Sequence, residues 1–97
     1  MGTVEFTPDA LRQFRKLPKA VRPLIRDGVR VHLIESHPTR ETRNKFPLRR
    51  LSNYADYELR LGDWRVFYRV LPDRVVVTLL GEKRGNKLVV EGEEMIL

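Results

Sequence analysis

The chain has no cysteine and only two histidines. Those absences exclude a disulfide framework, a thiolate zinc site and a thiol nucleophile, and two imidazoles alone cannot complete a structural zinc shell. No metal or cofactor is expected. No apolar run approaches the roughly 18 residues of a membrane span, and the N-terminus lacks the basic start, apolar stretch and small-residue cleavage site of a secretory signal. A cytosolic protein is therefore expected. Internal repeats and low-complexity tracts are also missing. Acid is scarce: 13 Asp and Glu stand against 19 Lys and Arg, a net charge of +6 and a pI near 10.2. That imbalance favours a polyanionic partner such as nucleic acid or an acidic protein segment. Of the 19 cations 14 are arginine, whose planar fork matches phosphate and carboxylate with two parallel hydrogen bonds.

What is present is a chain of 97 residues, 41% hydrophobic and 33% charged, which places it among folded proteins and predicts one domain over 1–97. Val4-Glu5-Phe6 alternates as a short strand does. Thr7-Pro8-Asp9 reads as a helix start, with Thr as N-cap, Pro at the first helical position and Asp at the positive dipole end. A helix from about Pro8 to Lys16 carries Leu11 and Phe14 on one side and stops at Leu17-Pro18. From Lys19 to Ser36, the positions Val21, Leu24, Ile25, Gly28, Val31 and His32 follow helical spacing and predict a second helix antiparallel to the first. It ends near Ser36, because the residue before Pro38 is pushed out of helical geometry. Residues 38–53, PTRETRNKFPLRRLSN, hold five cations, one acid and two prolines without a sustained period, and are expected to form a long surface connection.

Three strands are predicted next, Tyr57 to Leu61, Trp64 to Leu71 and Val75 to Leu80, with turns at Gly62-Asp63 and Pro72-Asp73. If Leu61 pairs with Trp64 and Val70 with Val75, one face carries Tyr57, Leu59, Leu61, Trp64, Val66, Tyr68, Val70, Val75, Val77 and Leu79 toward the helices. The other carries Glu58, Arg60, Arg65, Phe67, Arg69, Val76, Thr78 and Leu80, and continuing the last strand adds Glu82 and Arg84. Arg60 then faces Arg65 directly. Like charges opposite one another cost up to about 1 kcal/mol, so something should offset them.

A cationic floor of Arg60, Arg65 and Arg84 with the carboxylate of Glu82 suits a phosphodiester: guanidinium forks neutralise the phosphate, and a carboxylate can accept a proton. Arg49, Arg50, Lys83 and Lys87 are candidates for flanking phosphates, and Phe67 or Tyr54 for stacking a base. The competing reading is an ion-pair network in which Glu58 and Asp56 satisfy Arg60 or Arg69. His32 reads as a core histidine and His37 as a helix-boundary residue.

The stretches FTPDALRQFRKLP, PLRRLSNYADYELRLGDWRVFYRV and VVVTLLGEKRG, in this order, resemble the RelE/ParE superfamily of bacterial toxins nearly end to end. The resemblance implies an α+β fold, with an N-terminal strand and two-helix hairpin packed on a mostly antiparallel β-sheet. It also implies a cognate antitoxin with an acidic or amphipathic wrapping segment. RelE-branch members cleave messenger RNA on the ribosome, whereas ParE-branch members poison DNA gyrase without nuclease residues. Arg65 matches the family's phosphate-binding arginine after the GDYR-like turn, Arg60 a basic position on the preceding strand, and Arg84 the basic residue after the final strand. Where RelE-like nucleases often carry a tyrosine or histidine near the C-terminus, this chain reads NKLVVEG, with Val89 or Val90 in that place.

The leading expectation is a type II toxin acting as an mRNA interferase on the ribosome. Its 2'-hydroxyl attack would use Glu82 or Glu58 as base, Arg65 and Arg60 on the phosphorus charge, and Arg84 or Lys83 at the leaving oxygen. The alternatives are a ParE-like gyrase inhibitor without catalysis and a non-toxic RNA- or protein-binding member. The final EGEEMIL is expected to fray, the alternative being that its acids fold back on the basic face.

Overall fold

The computed structural model describes residues 3–48, 53 and 55–95. Strand β1 (Thr3–Phe6) leads into helix α1 (Pro8–Lys16), which the Thr7 hydroxyl caps by accepting the Ala10 N–H at 3.1 Å. Leu17 turns extended before Pro18 and ends the helix. Helix α2 (Val21–Val29) has no side-chain N-cap, but Arg22 reaches back to the Leu17 and Arg15 carbonyls, two of the acceptors that α1 leaves open at its end. The helical path continues through a wider π-helical segment, Arg30–Glu35, and stops at an extended Ser36.

The buried helical faces agree with expectation in part. Phe14, Val21, Ile25 and Gly28 pack inward as expected, but α1 also buries Ala10 and Gln13 while Leu11 stays 38% exposed, and α2 and its extension bury Val29 and Leu33 while Leu24 and Val31 stay exposed.

The sheet runs β2 (Lys45–Pro47), β3 (Tyr57–Leu61), β4 (Trp64–Val70), β5 (Arg74–Arg84), β6 (Lys87–Val90) and β7 (Glu93–Met95) as antiparallel neighbours. β1 joins the outer edge of β5 in parallel, with Phe6 opposite Val77, and β6 takes the far part of that edge, from Glu82 to Arg84. Between them the Leu80 N–H would be orphaned, and the Gln13 Oε1 accepts it at 2.8 Å. The helices cover one face of the sheet, over Leu59, Leu61, Val66, Tyr68, Val75, Val77 and Leu80. Tyr68 is fully buried, stacks on Tyr57 at 5.3 Å and donates its hydroxyl to the Pro38 carbonyl at 2.7 Å; burial raises its phenol pKa.

Two sequence expectations are corrected. The connection 38–53 is not all loop, since β2 lies within it and brings in a fully buried lysine, Lys45. The C-terminal stretch does not fray over its described part: Gly85 (φ 61) and Gly92 (φ 83) turn the chain twice, and Leu88, Val90 and Met95 bury against Phe67, Leu79 and Ala55 on the second face.

Gly28 sets how closely α2 lies on β3. A Cβ there would stand 2.3 Å from Leu61 Cδ1 and 2.7 Å from Cδ2. Alanine in a helix interior gains about 1 kcal/mol over glycine, whereas overpacking a filled core costs about 1–3 kcal/mol. Gly28→Ala is expected to lower stability by about 1 kcal/mol net, read from the urea midpoint, with Leu61→Val in the same chain recovering part of the loss. A stabilised Gly28→Ala chain would show that this contact is loose.

Candidate functional site

The β3–β4 hairpin has the expected register, with Leu61 opposite Trp64 and Arg60 opposite Arg65. Gly62 at φ 63 makes the tight turn. The group that offsets the two cations is internal. Glu58, two residues before Arg60 on the same strand face, places one oxygen, Oε2, 2.6 Å from Arg60 Nε and 3.6 Å from Arg65 Nε.

Burial divides the two arginines. The Arg65 side chain is 9% exposed and Glu58 12%, against 46% for Arg60. Arg65 Nη1 donates to the carbonyls of Gly62 at 2.6 Å and Trp64 at 3.0 Å, so its guanidinium braces the turn that precedes it. Burial, and then Arg60, lower its pKa from the ordinary arginine value, with Glu58 and Asp63 opposing. Arg60 lies 4.6 Å over the ring of Phe46 from β2, a cation–π contact.

The rest of the expected floor lies elsewhere. β5 carries a bulge opposite Phe67/Tyr68, where Tyr68 pairs with Val77 and Phe67 with Leu79, leaving Thr78 as the extra residue. One extra residue inverts every side chain beyond it. Leu80 therefore joins the helix-side core and Leu79 the second cluster. Glu82, opposite Trp64, and Arg84 fall on the helix side, away from Arg60 and Arg65, and pair with each other at 2.8 Å. Lys83 falls on the Arg65 side by the same alternation and is exposed. Lys87 is on the helix side, paired with Glu94 at 3.2 Å.

Phe67, 2% exposed inside the second cluster, has no face to offer a base. Arg49, Arg50 and Tyr54 lie outside the described residues. Val90 is buried and Val89 stands opposite Glu82, so neither position offers a proton carrier. Arg69 donates to the Asn53 carbonyl and pairs with neither Asp56 nor Glu58 among the described residues.

A second feature is an apolar groove of about 380 Å³ between β1, α1 and α2, lined by Val4, Phe6, Leu11, Phe14, Val29 and Ile34, with Arg26 and Arg30 at its rim. β1 pairs only with β5 among the described strands, so its outer backbone edge is open above the groove.

Residues 4–85 match a family model described as ParE toxin of type II toxin-antitoxin system, parDE. The chain belongs to this toxin family. Among solved structures the toxin resembles a chain of the RelBE2 toxin–antitoxin complex of Mycobacterium tuberculosis at 26% identity, over 84% of this chain and 91% of that one, with a TM-score of 0.69. A chain of the archaeal RelE–RelB complex from Pyrococcus horikoshii OT3 shares the fold at 24% identity, over 88% and 97% of the two chains, with a TM-score of 0.65. No curated protein matches the toxin's sequence. The expected RelE/ParE superfamily and its α+β architecture are thus the observed ones. Among the toxin's described residues, no helix is long and apolar enough to cross a membrane.

The residues that sequence reasoning missed are positioning groups: Gln13, Lys45, Phe46 and Glu91. Gln13 lies three residues after Ala10, the other buried residue of α1, and that helical spacing is the one signal that marked it. Glu91 sits in the β6–β7 turn at φ 51, where a side chain is disfavoured, and Arg12 holds it with bonds of 3.0 and 3.2 Å. Those bonds keep the Glu91 carboxyl pKa below its usual value.

Proposed function

We propose that this toxin acts by holding its target and not by cutting RNA, and that the target is DNA gyrase. The carrying observation is the closed state of the arginine pair: Arg65 is buried, donates to two backbone carbonyls and shares Glu58 with Arg60. A guanidinium so engaged is not presented to a scissile phosphate. Among the described residues, no tyrosine or histidine hydrogen-bonds to Glu58, Arg60 or Arg65, and Glu82 and Arg84 lie on the opposite face. The match to the ParE family supports the same reading.

The partner is a cognate antitoxin, as in the RelBE2 and RelE–RelB complexes whose toxin chains share this fold. The apolar groove beneath the open edge of β1 has the exposed Arg26 beside it, while Arg30 there is paired with Glu35 and Asp27. It suits an amphipathic segment with an acid toward Arg26 that lays apolar side chains into the groove and adds a strand to the edge. The pair works in the cytoplasm, where gyrase is found.

The test is a supercoiling assay with purified gyrase. The toxin is expected to block supercoiling at near-stoichiometric concentration, and antitoxin is expected to restore it. Full supercoiling at a large excess of toxin would overturn the proposal.

One observation favours a second reading, cleavage of ribosome-bound message. Arg60 is 46% exposed and Lys83 is exposed on its side of the sheet. On that reading Glu58 leaves Arg60 when a phosphate arrives and becomes the proton acceptor.

A further inference from the structure

Between residues 10 and 26 the chain has six cations and no acid. Arg12 and Lys16 are held by Glu91, Arg22 by backbone carbonyls, and Arg26 borders the apolar groove. Arg15 and Lys19 are exposed and have no acidic partner among the described residues. They flank Lys16, Leu17 and Pro18, which wall a cleft of about 460 Å³ on the helix side of the sheet, opposite to Arg60 and Arg65.

Trp64 lines that cleft, and so does Gln13. The Gln13 carbonyl oxygen is taken by Leu80 N–H, and its NH2 group is left to donate. The charges within the cleft cancel, since Glu82 pairs with Arg84 at 2.8 Å and Glu91 with Lys16 at 3.4 Å. Arg15 and Lys19, without an acidic partner among the described residues, adjoin its wall along the chain.

We propose that this cleft and the basic corner beside it bind single-stranded nucleic acid, with a base against Trp64 accepting from Gln13 and the backbone phosphates along Arg15 and Lys19. A charge-balanced, aromatic, hydrogen-bonding cleft next to a cationic helix end is what a base and its phosphates require of a binding surface. A stacked duplex keeps its bases from the cleft and meets only the outer charges. This site is independent of the arginine pair on the other face and of the gyrase reading.

Trp64 is the chain's one tryptophan, so its emission reports on this cleft alone. The full-length protein is titrated with an oligouridylate of about eight nucleotides, a length within the usual single-strand site sizes. Saturable quenching is expected, weakening as salt rises. Arg15→Gln with Lys19→Gln leaves the Glu91 contacts in place; it is expected to cut affinity about tenfold and to reduce the log–log salt slope by about 1.4, two contacts at about 0.7 each.

Arg43→Gln, at an exposed cation before β2 that the cleft does not include, is expected to bind as the parent does. Absence of quenching would overturn the proposal. So would equal quenching by the double variant, equal quenching by duplex, or a loss with Arg43→Gln as large as with the double variant.

Discussion

An Arg65→Leu chain is expected to lose about 2–3 kcal/mol of stability and to melt about 10–20 °C below its parent. Leucine fills much of the buried volume but removes the donors to the Gly62 and Trp64 carbonyls and one of the two cations around Glu58. Taking one partner from a buried pair leaves the other exposed to the full cost of burial. The loss is moderated because Arg60 still holds Glu58 at 2.6 Å. Arg60→Leu is the internal control. Its side chain is 46% exposed, so the change should cost less than about 1 kcal/mol. Thermal and urea unfolding of the two variants separate the cases. If both melt with the parent, Arg65 is a presented functional group and the closed pair is wrong.

Lys45→Met is expected to cost more, about 3–4 kcal/mol. Lys45 sits on β2 with no solvent exposure, and its ammonium donates to the His32 carbonyl at 2.5 Å, the His37 carbonyl at 2.8 Å and the Ser36 hydroxyl at 3.0 Å. These are the open acceptors where the π-helical extension ends, and a cation at a helix C-terminus also meets the negative end of the dipole. Burial lowers the Lys45 pKa, and Arg40 adds to the effect, so the three acceptors are what keep the ammonium in place. Methionine matches its length but supplies no donor. The urea midpoint should fall sharply with an unchanged slope, since the surface exposed on unfolding stays nearly the same. A midpoint within error of the parent would mean that water satisfies the helix end.

The parts of the fold legible in the sequence were those fixed by neighbours along the chain. Thr7-Pro8-Asp9 set the start of α1 and Gly62-Asp63 set the β3–β4 register, which brings Arg60 against Arg65 and puts Glu58 on their face. The bulge at Thr78 was not legible. In Val75 to Leu80 five of six residues are apolar, so alternation carries no phase, and the two adjacent leucines are buried in different cores. That single residue moved Glu82 and Arg84 away from the candidate site. Lys45 was hidden for another reason: in a basic stretch it looks solvated, and its acceptors come from a helix end eight to thirteen residues earlier. The β6–β7 hairpin read as a tail because terminal residues fray unless tied down, and no neighbour along the chain marks what ties this one. The partner of Glu91 is Arg12, 79 residues away.

The most direct test of the closed arginine pair is to add the purified toxin, without antitoxin, to ribosomes translating a defined message and to map the RNA ends. A closed pair leaves the message with no toxin-dependent ends at toxin concentrations that block gyrase; new ends within the ribosome-bound message, appearing in proportion to toxin, would show the pair open to a phosphate.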